Sequence, residues 1–273
     1  DDGSFQLDMS YFDYATGLKM TNKKFDDLFG GPPRTSETEL SQREMDLAAS
    51  IQAVIEEVVL RLTRSLGKQL KTRNLCLAGG VALNCVANGK VLRDGVFENV
   101  WIQPAAGDAG GAIGAALAAY HIYHGGERHV CTGLDGMSGA FLGPTFEQFE
   151  IETRLKAVGA VFDVLNEDRL ISKTTDGLIS GKAVGWFQGR MEFGPRALGG
   201  RSILGDPRCR NMQQALNLKV KYRESFRPFA PSILIEDAAD WFEINKPSPY
   251  MLFVTEVKKS RQKKMTAAET DLF

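Results

Sequence analysis

Twice in succession this chain runs a short apolar strand into glycines and then into a helix. The first copy is LCLAGGVALNCVANGKV, with a strand at 75–78, Gly79-Gly80 at the turn and a helix over 81–92. The second is VWIQPAAGDAGGAIGAALAAY, with a strand at 100–102 and a helix of small residues from about Ala109. Such a repeated unit suits an α/β sheet whose strand ends meet a ligand.

Ahead of it, Ser41 and Glu44 have capping-box spacing, and Ile51, Val54, Ile55, Val58, Val59, Leu62 and Leu66 recur at helical intervals. The pattern predicts an amphipathic helix that ends at Gly67 and covers a core. Residues 1–35 read as irregular. The turn-rich GLDGMSGAFLGP near 133–145 marks a domain boundary, placed between 136 and 137. Beyond it, 168–180 and 211–218 read as helices, and 182–187, 229–235 and 250–257 as strands. The tail SRQKKMTAAETD reads as a charged loop or frayed end.

The segment GRMEFGPRALGGRSILGDPRCR sets arginines at 190, 196, 201, 208 and 210 among glycines, with only Glu192 and Asp206 to balance them. A second cluster, KVKYRESFRPFAP, adds Lys219, Lys221, Arg223 and Arg227. Guanidinium groups on glycine-rich loops suit bidentate binding of phosphate, carboxylate or carbamate oxygens. The two clusters are expected to converge on one anion pocket. A nucleic-acid surface would push the whole chain basic. This one carries 33 Lys+Arg against 34 Asp+Glu, a net charge of −1, which disfavours nucleic acid and favours a discrete small-anion site.

Each glycine turn has two readings. At Gly79, Gly80 and Asn84, a bare backbone and a helix N-terminus are placed to meet a nucleotide; the same residues also make a tight strand–helix corner. At Gly107, Gly110 and Gly111, Asp108 is either a helix cap or a carboxylate for a metal that bridges phosphates. His121 and His124 share a helix face and admit a metal pair, although histidine at a helix end is favoured by the dipole. No GxSxG or HExxH motif occurs. The four cysteines, Cys76, Cys85, Cys131 and Cys209, form no CxxC pair and read as buried thiols of a reducing cytoplasm. No run reaches the ~20 apolar residues of a membrane span.

FGPRALGGRSILGDPR at 193–208, with RESFRPFAPSIL at 223–234, resembles the C-terminal domain of the O-carbamoyltransferases, which include nodulation-factor, cephem and aminoglycoside carbamoylation enzymes. LAGGVALNCVANGKV and QPAAGDAGGAIGAALAAY resemble the other domain of that family. The resemblance implies a partial actin/Hsp70-like (Kae1-like) ATPase lobe over 1–136, followed by an α+β YrdC-like domain over 137–273. It implies that the second domain forms a carbamoyl-adenylate from carbamoyl phosphate and ATP. The first would pass the carbamoyl group to a hydroxyl of a small-molecule or sugar acceptor, near a nucleotide and a divalent metal, iron or magnesium.

By position, Arg190, Arg196, Lys221 and Arg227 are implied for the anionic oxygens, with Arg223 and Arg201 after them. Asp108 matches the metal ligand, and Gly79, Gly80 and Asn84 match the nucleotide turn. Two departures matter: the family's His-x-x-x-His motif and a first ATPase-like lobe are absent. The chain therefore reads as the C-terminal portion of a longer enzyme, with weak metal binding and without full transferase activity alone. A homodimer stays open. Two rival readings remain: an ATPase-superfamily kinase and an RNA-binding enzyme of tRNA threonylcarbamoyl modification.

Overall fold

The computed structural model describes residues 2–35, 38–130, 135–244 and 246–265. In chain order the elements are α1 (Lys23–Leu28), α2 (Gln42–Leu70), β1 (Asn74–Leu77), α3 (Cys85–Asp94), β2 (Asn99–Ile102), α4 (Asp108–Ala118), α5 (Gln148–Ala157), α6 (Glu167–Ile179), β3 (Val184–Phe187), β4 (Arg201–Leu204), α7 (Met212–Ala215) and α8 (Ile235–Trp241). This is a mixed helix and sheet architecture, in keeping with the expected α/β class. Its contacts divide it into two compact units: described residues within 1–75 and 90–100, and described residues within 76–89 and 101–273.

In the first unit, α2 begins as its sequence predicts. The Ser41 N–H donates to the Glu44 carboxylate at 2.9 Å, closing the expected box. The helix does not end at Gly67. It runs to Leu70 and stops at Lys71, which takes a left-handed conformation (φ 49°). Gly67 is needed for close packing instead, since a Cβ there would lie 2.5 Å from a Val96 methyl.

The expected apolar stripe is not the buried face of α2. Ile51 and Val54 are each 56% exposed, whereas Glu56 and Thr63 are buried. Glu56 pairs with Lys90, and Arg64 Nε donates to Asp94 at 2.9 Å. Glu56, Thr63 and Gly67 recur at helical spacing, so one narrow, polar-and-glycine face meets the 90–97 segment.

β1 leads into a 3-10 turn at Gly80–Leu83, which belongs to the second unit, and α3 starts only at Cys85. β3 and β4 form an antiparallel ribbon, with Val184 opposite Leu204 and Phe187 opposite Arg201. β4 was not anticipated, because its residues read as part of the arginine loop. The strands expected at 229–235 and 250–257 do not form. Ile235 opens α8, and 250–257 begins in a turn, with Met251 at φ 55°, and carries one isolated bridge, Phe242 to Val257. β-type residues there find no partner strand, and their backbone is met by individual groups, such as the Cys85 carbonyl that accepts from Val254 N–H at 3.1 Å. Cys76 is exposed and Cys85 and Cys209 are half-buried, so these thiols are not core residues; Cys131 lies outside the described residues. Among the described residues no helix is long and apolar enough to cross a membrane.

Candidate functional site

The first glycine turn presents bare backbone. Gly79 has φ +95°, a conformation that favours glycine, and a Cβ built on Gly79 or Gly80 would meet nothing within 4 Å. Asn84 is engaged locally, where its Oδ1 accepts from Ala87 N–H at 3.1 Å, near the start of α3. In the second turn the cap of α4 is Gly107, and Asp108 is the first helical residue, exposed. Gly107 adjoins the first turn, since a Cβ on it would lie 3.7 Å from the Leu83 side chain. Gly110 lies so close to the Ala105 carbonyl that a Cβ would fall 2.1 Å from that oxygen, whereas Gly111 faces open space.

The arginine loop is anchored on both glycine turns. Arg196 Nη2 donates to the Leu83 carbonyl at 3.0 Å. Gly194 (φ +134°) sits against Pro104 and Ala105, where a Cβ would come within 3.3 Å of the Pro104 oxygen. Three segments separated in sequence, 79–84, 104–108 and 193–201, therefore meet inside one compact unit. The Arg196 Nε–H is buried without a hydrogen-bond partner, a cationic donor still in want of an acceptor. Arg190 donates to the Gly143 carbonyl at 2.8 Å. Arg208 is committed to Asp206, Nη2 to Oδ2 at 2.7 Å.

The second cluster has anchors of its own. Arg223 Nε donates to Asn217 Oδ1 at 2.7 Å, and its guanidinium lies 4.9 Å from the Phe229 ring centroid. Asn217, fully buried, donates to the carbonyls of Ser225 at 3.0 Å and Arg227 at 2.8 Å. Lys221 and the Arg227 side chain are exposed. A cavity of about 570 Å³ in this unit, lined by residues 162–165, Arg169 and Lys173 among others, includes no residue of either cluster.

Two features escaped the sequence reading. Glu192, counted there only as a charge to balance arginine, is buried and accepts from the N–H groups of Leu198 at 2.7 Å and Gly200 at 2.8 Å. Burial pushes its carboxyl up, but the backbone hydrogen bonds outweigh that and hold it below the usual carboxylate range. Its place as the one acid between Arg190 and Arg201 was the available signal.

The second is Tyr250, whose hydroxyl donates to Asp135 Oδ1 at 2.7 Å and accepts from Gly139 N–H at 3.2 Å. It braces Ser138, Gly139 and Ala140, all at positive φ (49°, 72° and 68°). Ala140 in turn accepts from Phe193 N–H at 2.7 Å, next to Glu192. Burial, then the bond to Asp135, pushes the Tyr250 hydroxyl up to about 12.

Among the described residues no group of three His, Cys, Asp or Glu side chains is gathered as a metal would require. Asp108 alone does not make a ligand set, and no chemistry is assigned to a metal here. His121 Nδ1 lies 3.0 Å from the Gly126 carbonyl, a contact local to the helix end.

Bare strand-end glycine turns that meet an arginine loop offer the kind of donors that suit an anion. Residues 1–117 match the model of the carbamoyltransferase N-terminus, and residues 175–270 match that of the carbamoyltransferase C-terminus. The chain is 61% identical over 274 positions to the Synechocystis protein sll1178, covering 100% of this chain and 44% of that protein. It is 40% identical over 225 positions to nodulation protein NolO of Bradyrhizobium diazoefficiens, covering 81% of this chain and 40% of NolO. Against nodulation protein U of Rhizobium fredii the identity is 37% over 195 positions, covering 71% of this chain and 31% of that protein. The chain belongs to the carbamoyltransferase family. It spans less than half the length of each of these relatives.

Proposed function

We propose that this chain serves an ATP-dependent O-carbamoyl transfer, in which carbamoyl phosphate is the donor and a hydroxyl of a small-molecule or sugar acceptor receives the group. The observation that carries the reading is the seating of Arg196, with its buried and unpaired Nε–H, on the carbonyl of Leu83, the last residue of the turn that Gly79 and Gly80 open. An arginine at that place suits phosphate or carbamate oxygens, and the bare turn suits the close approach of a nucleotide.

Carbamoyl phosphate would be hydrolysed to carbamate and inorganic phosphate. The carbamate oxygen would displace pyrophosphate from the ATP α-phosphorus to give a carbamoyl-adenylate, and AMP would leave as the acceptor hydroxyl, losing its proton, bonds to the carbamoyl carbon. Gly79 and Gly80 would leave room for the nucleotide, and Arg196 would hold anionic oxygens at Nε. Arg190, Lys221, Arg223 and Arg227 are assigned to the same anions from the family pattern. In this reading 1–136 is Kae1-like and 137–273 YrdC-like, and the protein works in the cytoplasm.

Carbamoyl-phosphate binding by calorimetry, followed by assay of pyrophosphate release from ATP, tests it. Expected are saturable binding and pyrophosphate that appears only when carbamoyl phosphate is added. ADP formed regardless of carbamoyl phosphate would make the protein a kinase and overturn the reading.

A further inference from the structure

The arginine loop is wound around a single carboxylate. Glu192 is 5% exposed, and its Oε1 accepts from the backbone N–H groups of Leu198 at 2.7 Å, Gly200 at 2.8 Å and Arg201 at 3.3 Å. Its Oε2 is buried without a hydrogen-bond partner and lies 3.7 Å from Arg201 Nε. Converging amides of this kind form a concavity that binds anions. Here the chain fills it with its own side chain. The ring closed between Glu192 and Leu198 contains Gly194, seated on Pro104 and Ala105, and Arg196, seated on Leu83. Both ends of the segment that carries Arg196 are thus tied to one carboxylate.

We propose that Glu192 is the positioning residue of the anion site, occupying the loop's amide concavity so that substrate oxygens are left to the guanidinium groups of Arg196 and Arg201. The inference rests on the reading of that loop as the carbamoyl-phosphate site. Its physical content is preorganisation: a loop already closed does not lose its freedom at the moment of binding. Small displacements of a binding group are costly, on the order of 100-fold for about 1 Å in favourable cases.

The test compares the wild-type chain with Glu192→Gln, Glu192→Asp and Phe97→Leu, the last a control at a buried residue of the first compact unit, outside the three segments of the site. Thermal melting and calorimetric affinity are measured for carbamoyl phosphate and, separately, for inorganic pyrophosphate. Glutamine keeps an acceptor for the three amides but removes the charge facing Arg201. The expected result is a folded Glu192→Gln chain with carbamoyl-phosphate affinity reduced about tenfold or more, Glu192→Asp in between, and Phe97→Leu with near wild-type affinity despite its lower melting point.

Wild-type affinity in folded Glu192→Gln overturns the proposal, and so does an equal loss in Phe97→Leu at matched stability. If Glu192→Gln does not fold, Glu192→Asp decides by the same comparison. A wild-type chain that binds pyrophosphate but not carbamoyl phosphate removes the carbamoyl reading, and the same variants then decide the role of Glu192 on pyrophosphate. A chain that binds neither removes both.

Discussion

Asn88 reaches Leu252 across 164 positions of sequence, donating to its carbonyl at 3.0 Å, and the same carboxamide donates to the Ala82 carbonyl at 2.8 Å. Both residues are 2% exposed. One side chain thus joins α3, the first glycine turn and the segment at 250–257, which lacks a partner strand. Asn88→Ala leaves two dry carbonyls and should cost roughly 1–3 kcal/mol for each acceptor left unmet. Urea unfolding checks this; a loss below about 0.5 kcal/mol, the scale of ordinary surface changes, would contradict it.

Adjacent glycines of α4 should respond with opposite sign. Gly111→Ala has open space and gains helix propensity, worth up to about 1 kcal/mol. Gly110→Ala drives a methyl into the Ala105 carbonyl and should destabilise despite the same propensity gain. Melting of the two variants decides. Equal shifts would mean that α4 does not approach Ala105 as described.

Arg196→Ala should weaken carbamoyl-phosphate binding by about 1–3 kcal/mol, the scale of a charge-assisted hydrogen bond. It also removes the bond to Leu83, so melting must be measured beside calorimetry. Unchanged affinity in a folded variant would take Arg196 out of the site.

Tyr250 predicts an alkaline limit. Its hydroxyl is pushed up to about 12 by burial and by the bond to Asp135, against an ordinary value near 10. The unfolded chain therefore releases this proton first as pH rises. The stability it contributes is complete below about pH 10 and is lost between there and 12. In unfolding measured from pH 8.5 to 11.5, Tyr250→Phe should start less stable and decline less steeply. Parallel curves would show that Tyr250 does not govern this limb.

Local signals were read well where the physics is local. The capping box at Ser41–Glu44, the strand at 75–78 within a residue, and the start of α4 within a residue all follow from nearest-neighbour preferences. Burial was not legible in the same way. The apolar stripe of α2 has the spacing of a core face, yet its packed face is the one holding Glu56, Thr63 and Gly67, because Glu56 pairs with Lys90 and Gly67 packs against Val96. The 229–235 run has strand-like residues, but a strand needs a neighbour, and Ile235 instead opens a helix.

Within the site, the sequence alone determined the inventory: a glycine-spaced run of arginines, two strand-end turns and a near-neutral charge. Backbone freedom and side-chain charge belong to a residue wherever it lands. Tertiary structure alone decided which of these groups meet and which are already engaged. It placed Arg196 on Leu83, kept Arg223 against Asn217 and Phe229, and turned Glu192 inward as the centre of a loop. Those outcomes depend on contacts between distant segments, where hydrogen-bond geometry and exclusion of water, rather than spacing along the chain, select the partner.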